Sequence, residues 1–258
     1  MKRKLITLSI KCFVVVVLLL GCLVGIVLTP SLLYANKTVV ANSTVYHNKP
    51  LDRTMKIRLE DATEIIKTSE LYDPNIKFDI CMSDGSYYPA LLQVFLGNAF
   101  ALGFTSNKVV LCGNVNVNEN YIEVNGHKWN LTQSIAHEEA HCLVYNKVGF
   151  WNSNPVANHP IWKWEGYPEY VSRQTDGLKD LSKNIELLQT ATKENNEAWG
   201  ITLSDNTVSP RAYFNYMLLI QYCLDIKKMT YESLLKDTTS EETIRQQMME
   251  WHYNKYKK

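Results

Sequence analysis

The chain has 258 residues, of which 46% are hydrophobic and 21% are charged, and its formal net charge is +1. These values are ordinary for a folded protein, and the near-neutral charge argues against nucleic acid as a partner. The sequence has no Gly-rich phosphate loop and no Cys-x-x-Cys pair, which argues against functions that depend on either motif.

The N-terminus predicts a segment that crosses a membrane or directs export. Basic residues at positions 2, 3, 4 and 11 precede an unbroken apolar run over 12–28. A helix of this length covers about 25 Å, which is close to the hydrocarbon core of a bilayer. Because basic residues favour a cytoplasmic N-terminus, we expect the body of the protein outside the cytoplasm.

Two interpretations of residues 1–35 stay open. As a signal anchor they form a basic cytoplasmic tip and a single-pass transmembrane helix; as a signal peptide they are removed and the domain is secreted. Cleavage after Ala35 would place the unfavourable Leu33 at the third position upstream, and the apolar run is long for a signal core. We therefore favour the anchor. A lipoprotein-like Leu-Leu-Gly-Cys ends at Cys22, but the apolar run continues past it, which argues against lipidation.

The remaining chain predicts a polar linker over 36–54 and one domain over 55–258. Within that domain, apolar residues at helical spacing predict a helix over 57–70. Alternation of apolar and polar residues then predicts a strand near 76–82.

The next segments predict strands and tight turns. Residues 84–90 predict a turn, in which Pro89 acts as a breaker of regular structure. The glycine-containing apolar stretch 91–104 fits either a helix or a buried strand. Residues 108–117 predict a strand. Residues 121–129 predict a hairpin, because Asn125-Gly126 is the dipeptide that a type I′ turn prefers.

The second half of the chain predicts mainly helices. Thr132 is a suitable N-cap for a helix over 133–147. Further helices are predicted over 161–173, 210–225, 230–237 and 240–256. Because strands come first and helices later, the pattern indicates an α+β fold.

Four cysteines lie beyond the apolar run, and an exported domain permits disulfides. Cys81 and Cys112 each end a strand-like segment, which makes them the favoured pair. Cys142 and Cys223 are expected to be small buried thiols.

The sequence His137-Glu138-Glu139-Ala140-His141 fits the pattern H-E-x-x-H. On a helix, positions i and i+4 share one face, so both imidazoles could reach one Zn²⁺. Glu138 would then lie beside the metal, where it could act as a general base. The alternative is a solvated helix face with two unrelated histidines. The apolar neighbours count against it, since charged groups on a helix wrapped in core need partners.

A catalytic zinc needs a third protein ligand and one open position. The segment 160–170 offers Glu165, and the pattern of Trp162, Glu165-Gly166 and Tyr170 resembles the third-ligand helix of gluzincin metallopeptidases, especially the peptidase MA-like group. The resemblance covers about 130–226. It implies a zincin-like domain with a small N-terminal mixed sheet, an active-site helix and a mostly helical C-terminal part. It also implies that His137, His141 and Glu165 hold one zinc ion, with Glu138 as the catalytic base.

Two residues near Glu165 complicate this assignment. Pro168 stands where the family often has alanine; it would kink the helix unless the helix starts late. Glu169 shares a face with Glu165 and has three open roles: an acceptor for a ligand imidazole N–H, a solvated surface carboxylate, or a replacement ligand.

The remaining candidates are less specific. Glu139 is expected to be exposed, and His159 is expected to be an incidental loop residue. Tyr213 and Tyr216 are candidate oxyanion donors, with core packing as the default for either. Residues 108–114 are a candidate edge strand for an extended peptide.

The predicted function is zinc-dependent hydrolysis of peptide bonds outside the cytoplasm. The partners would be a peptide or protein substrate and the membrane, through the N-terminal helix. One alternative is a membrane-tethered, catalytically inactive binding protein with the zincin fold, and another is a helical scaffold with no metal. The intact glutamate of H-E-x-x-H argues against an inactive protein, which would have no need of a base.

Overall fold

The structure, a computed structural model, describes residues 2–97, 99–174 and 177–255. It has a mixed α+β architecture behind one N-terminal apolar helix, which confirms the α+β class. That helix, α1, spans Lys2–Leu28, and its segment Ile10–Leu28 is long and apolar enough to cross a membrane or to serve as a signal sequence. A short 3-10 helix over Pro30–Leu33 follows.

A five-stranded sheet forms the N-terminal half of the body. Its strands are β1 (Asn36–Val40), β2 (Ser43–His47), β3 (Phe78–Cys81), β4 (Ala101–Phe104) and β5 (Lys108–Leu111). Their spatial order is β1-β2-β3-β5-β4, with parallel β2–β3 and β3–β5 pairs and antiparallel pairs at both edges.

The prediction of a linker over 36–54 is therefore wrong for the part that forms β1 and β2. The polar composition was misleading because β2 alternates: Ser43, Val45 and His47 are buried, and the residues between them are partly exposed. A strand in a sheet that is covered on one face needs buried side chains only at alternate positions.

Two helices lie between the strands of this sheet. Helix α2 (Arg53–Ile66) is capped by the Asp52 carboxylate, which accepts from the Thr54 backbone N–H, and it connects the parallel strands β2 and β3. Helix α3 (Tyr88–Leu96) begins with Pro89 in its first turn, where a missing N–H costs nothing. The stretch 91–104 is thus both helix and strand, divided at Gly97.

The predicted strand over 108–117 is divided as well. Its second part, β6 (Asn114–Asn116), belongs to a separate three-stranded sheet with β7 (Tyr121–Val124) and β8 (His127–Asn130). At the division, a Cβ on Gly113 would lie 2.6 Å from the Glu123 carbonyl oxygen, so only glycine allows this close approach. The β7–β8 hairpin is confirmed: Asn125 and Gly126 both have positive φ, as a type I′ turn requires.

Helix α4 (Leu131–Val148) crosses the middle of the body. The Asn130 side chain caps it by accepting from the Gln133 backbone N–H at 3.0 Å, so the prediction of Thr132 as N-cap is wrong by two residues. One side of α4 packs on the sheet and α2, and the other packs on the C-terminal helices. The helix is therefore buried nearly all round.

The C-terminal half is mostly helical, as predicted. Its elements are α5 (Ile161–Trp164), α6 (Gly166–Ser172), α7 (Leu181–Glu194), the β9–β10 hairpin (Gly200–Thr202 and Val208–Pro210), α8 (Arg211–Gln221) with a π-helical extension over Tyr222–Ile226, α9 (Tyr231–Lys236) and α10 (Glu241–Lys255). The chain thus places one long helix between a sheet and a helical layer.

All six cysteines are free thiols. The expected Cys81–Cys112 disulfide is absent. Cys142 and Cys223 are fully buried, and burial raises the pKa of the Cys223 thiol to about 11.

Candidate metal centre

Helix α4 presents His137 and His141 on one face, and their ring centroids lie 5.0 Å apart. Both side chains are buried, with 2% and 6% of their surface exposed. Glu138, next to the first histidine, is only partly buried and reaches the cleft. The helical spacing alone explains this arrangement, because residues four apart lie one turn above each other.

Glu165 brings a carboxylate to the same point from a different helix. Its Oε2 atom lies 3.6 Å from His137 Nε2 and 3.2 Å from His141 Nε2. In the described part of the chain, this is the one group of three or more His, Cys, Asp or Glu residues whose ligand atoms all lie within 4.8 Å of one another.

The donor set and its distances fit zinc. Two imidazole nitrogens and one carboxylate oxygen are the ligands of many catalytic zinc sites. If three ligands stand at about 2.1 Å from a tetrahedral ion, they are about 3.4 Å from each other. The two Glu165 distances lie on either side of that value.

A break between α5 and α6 directs the Glu165 carboxylate toward His137 and His141. The residue lies between the two helices, and Gly166 starts the second. A Cβ on Gly166 would lie 2.8 Å from the Tyr216 carbonyl oxygen of α8, so the glycine allows the two helices to pack closely. Because α6 starts at Gly166, Pro168 falls in its first turn and removes no helical hydrogen bond.

Glu169 lies on the opposite side of the His137 ring from Glu165. It is fully buried, and its Oε2 is 3.1 Å from His137 Nδ1. Its role as a solvated surface carboxylate is therefore contradicted. A replacement ligand would have to reach the Nε2 side, where Glu165 lies. The contact with Nδ1 instead fits an acceptor that fixes the ring and its tautomer.

The second oxygen of Glu169 has partners of its own. Oε1 accepts from Arg173 Nε at 2.6 Å and from Ser209 Oγ at 3.0 Å. Arg173 Nη1 in turn donates to Gln133 Oε1 at 2.8 Å. We call Glu169, Arg173, Ser209 and Gln133 the buried network; all four side chains are at most 2% exposed.

The charged groups of the site shift one another's pKa values. Burial acts to lower the pKa of His137, but Glu165 and Glu169 outweigh it and raise that pKa to about 10. Burial acts to raise the pKa of both carboxyls, but His141 holds the pKa of Glu165 well below its usual range, and Arg173 does the same for Glu169. The two carboxylates therefore stay ionised.

Glu138 has a different environment. Burial raises its pKa, and the nearby His137 and His141 lower it only in part. The Gly103 backbone N–H of β4 also acts to lower the pKa of Glu138. A Cβ on Gly103 would lie 2.4 Å from the Glu138 carbonyl oxygen, so glycine is needed for β4 to approach α4 this closely.

A cleft of about 310 Å³ opens in front of these groups. His137, Glu138 and Glu165 line it together with a mostly apolar wall that includes Phe100, Ala101, Trp129, Trp199, Pro210 and Tyr213. The strand at the edge of the sheet beside the cleft is β4, because β5 pairs on both sides. The prediction of 108–114 as edge strand is therefore wrong.

Of the two tyrosine candidates, only Tyr213 lines the cleft. Its ring centroid is 6.2 Å from that of His137, and burial raises its pKa well above the usual range, so the hydroxyl keeps its proton. Tyr216 lies one turn along α8, near Glu241 and Arg245.

Two other expectations have clear outcomes. Glu139 is fully buried, so the prediction that it is exposed is wrong; burial raises its pKa to about 8, and the Ser43 hydroxyl on β2 lowers it by less. His159 stacks on Trp164 and its Nε2 lies 2.9 Å from the Asn152 carbonyl oxygen, away from the cluster, as expected of a loop residue.

Sequence reasoning missed several residues around the site. Arg173 lies four residues after Glu169, a spacing that signals an ion pair on a helix. Ser209 and Gln133 carry no such signal, because they come from distant parts of the chain. The same holds for the aromatic residues Trp129 and Trp199 in the cleft wall.

Comparisons with protein-family models, with curated proteins and with solved structures find no match for this chain.

Proposed function

We propose that this protein is a zinc-dependent metallopeptidase with a zincin-like domain of the gluzincin type. His137, His141 and Glu165 would hold one zinc ion, and Glu138 would be the catalytic base. The observation that carries the proposal is the convergence of His137 Nε2 and His141 Nε2 on Glu165 Oε2, at 3.6 and 3.2 Å, beside a cleft that Glu138 also lines.

Zinc, when bound, supplies a Lewis acid that polarises the scissile carbonyl and makes the attacking water more acidic. Glu138 accepts the proton of that water and passes it to the leaving amine. Its raised pKa suits both steps, because a base with a pKa nearer neutrality can also return the proton.

Two further side chains support the reaction in this proposal. Tyr213 lines the cleft beside Glu165 and keeps its hydroxyl proton, which it can donate to the oxyanion that develops on the carbonyl. Glu169 accepts the Nδ1–H of His137, so Nε2 is the nitrogen that gives up its proton to bind the metal.

The proposed location is the membrane, with α1 as an uncleaved single-pass anchor and the domain on the extracytoplasmic side. The basic N-terminal residues support this orientation. Retention of α1 is supported by Tyr34, which is 9% exposed and belongs to an apolar cluster of the domain. In the alternative, cleavage after Ala35 would release the domain as a secreted protein, but it would also remove this core residue.

The experiment that tests this proposal combines metal analysis with a cleavage assay on the full chain. We expect about one zinc per chain and cleavage of some members of a broad peptide library, with cleavage lost in Glu138→Gln while zinc is retained. Zinc without cleavage by the parent protein would instead support an inactive binding protein. A chain without zinc after gentle purification would support a scaffold that has no metal.

A further inference from the structure

Helix α3 carries an exposed apolar stripe. Tyr87, just before the helix, and Val94 are 82% and 78% exposed. Ala90, between them, is also exposed, and Leu91 is half-buried. These positions are spaced by three or four residues, so they share one face, while Tyr88 and Leu92 on the other face are buried in the domain.

The stripe lies in the longest uncharged part of the body. No Asp, Glu, Lys or Arg occurs between Asp84 and Lys108. Exposed helices of soluble domains normally carry charged residues on their outer face, and an apolar outer face indicates a surface that contacts something else.

The end of α1 is fixed to this helix. The Tyr88 hydroxyl donates to the Val27 carbonyl oxygen at 2.6 Å, and Val27 packs against the cluster that contains Tyr88 and Leu92. After α1, only Thr29 precedes the 3-10 helix, in which the Leu33 carbonyl oxygen accepts from Ser86 Oγ at 2.9 Å. The domain therefore follows α1 without a flexible linker.

These contacts set the height of α3 relative to a bilayer. The apolar segment Ile10–Leu28 has 19 residues, about 28 Å of helix, which is close to the thickness of a hydrocarbon core. Val27 is then near one boundary of that core, and Tyr88 lies at the same level. Tyrosine is enriched at membrane–water interfaces, and the apolar face of a helix that lies on a bilayer enters the boundary between headgroups and acyl chains.

We propose that the outer stripe of α3, together with the exposed Leu32 of the 3-10 helix, rests on the surface of the lipid bilayer from which α1 emerges. The bilayer would cover the face that the domain leaves open, and α1 and α3 would hold the domain in a fixed orientation at the membrane. The proposal requires that α1 remains in the chain and spans the membrane. It does not depend on the peptidase activity.

Site-specific photocrosslinking of the full chain tests this contact. p-Benzoylphenylalanine replaces Tyr87 or Val94, and the protein is reconstituted into vesicles of phosphatidylcholine and phosphatidylglycerol. Trp151 is the matched control, because it is as exposed as Val94, at 78%. Trp151 follows α4, and Asn146 near the end of α4 contacts Asn107, which precedes β5 at one end of the sheet. Met82 follows β3 at the opposite end of the sheet, where its carbonyl oxygen accepts from the Tyr34 hydroxyl close to the end of α1. Position 16, within α1, is the positive control.

We expect lipid adducts at positions 16, 87 and 94, with yields at 87 and 94 several-fold above that at 151 by mass spectrometry. Only variants with the parent's thermal unfolding midpoint are compared, and the two stripe positions serve as independent probes. Adduct yields at 87 and 94 no higher than at 151 would overturn the proposal. Crosslinks from these positions to a second protein chain, or no lipid adduct at position 16, would overturn it as well.

Discussion

The carboxylates on the two sides of the His137 ring differ in how completely their oxygens are paired. On the inner side, both oxygens of Glu169 have partners within the buried network. On the outer side, Glu138 and Glu165 face a cleft, and the Glu165 carboxylate has His137 and His141 as its close neighbours. A carboxylate whose partners all come from the protein can only hold its neighbours in place. One that faces an open space has lone pairs left for a metal, water or substrate. In the proposed function, this difference separates the positioning residue Glu169 from the groups that would contact metal, water or substrate.

The largest effect is expected at the outer side, from Glu138→Gln. The amide cannot accept a proton from the attacking water, so kcat/KM should fall roughly 10²–10⁴-fold. Zinc content should stay at the parent level, because Glu138 is not among the clustered ligand atoms. Peptide-cleavage kinetics and metal analysis on the same preparation measure both quantities. Full activity in this variant would remove Glu138 from the role of base.

The second outer-side change, Glu165→Gln, should act on the metal itself. The neutral amide is a much weaker ligand than a carboxylate, so zinc affinity should fall by more than about 100-fold. Competition with a chelator of known affinity measures the change. An unchanged affinity would show that the third ligand is a different residue.

The pH dependence of zinc binding tests the contacts on both sides of the His137 ring together. The metal-free His137 has a raised pKa of about 10, so it is protonated throughout the neutral range and must lose that proton to bind zinc. Affinity should therefore rise with pH, about tenfold per unit between pH 6 and 8. A chelator-competition series over that range measures the slope. An affinity independent of pH would contradict the coupling of His137 to Glu165 and Glu169.

On the inner side, Glu169→Gln should weaken zinc binding by a smaller factor, roughly 10–100-fold, because it changes only the group behind a ligand. Glu139→Gln is the matched control: both glutamates are fully buried, but Glu139 is near β2 and has no contact with a ligand histidine. Its zinc affinity should equal that of the parent. If both variants lost affinity equally, the effect would come from a change in folding rather than from the contact with His137.

The smallest effect is expected from Ser209→Ala. This substitution removes one of two donors to Glu169 Oε1 and leaves Arg173 in place. The free energy of unfolding should fall by about 1.5–3 kcal/mol, as for other hydrogen bonds to charged groups. Zinc affinity should fall less than in Glu169→Gln. Urea unfolding of the zinc-loaded protein measures the first quantity, and a fall in affinity larger than that of Glu169→Gln would contradict the proposed order.

The sequence predicted the local parts of this structure better than the long-range ones. The H-E-x-x-H spacing placed two imidazoles on one helical face, and Asn125-Gly126 located a hairpin, because both depend on neighbours along the chain. Glu165 was found through its resemblance to a family motif. The direction of its side chain depends on a helix break and on the close packing of Gly166 against α8. The spacing of residues along the sequence reveals neither of these.

Errors arose where burial is decided by distant partners. Glu139 is predicted to be exposed, yet it is fully buried because the sheet and the C-terminal helices cover α4 on both sides. Residues 36–47 are polar in composition but supply two strands of the main sheet. Ser209 reaches Glu169 from a hairpin strand, and a single sequence gives no register between such distant segments.

The central claim is that His137 and His141 bind one metal ion through Nε2, together with Glu165, while Glu169 holds His137 from behind. Anomalous diffraction at the zinc edge, from crystals of the zinc-loaded protein, tests it most directly. We predict one zinc peak at about 2.0–2.1 Å from both Nε2 atoms and a similar distance from a Glu165 oxygen. A zinc ion bound by Glu169 or by His137 Nδ1, or no zinc peak between these residues, would contradict the account.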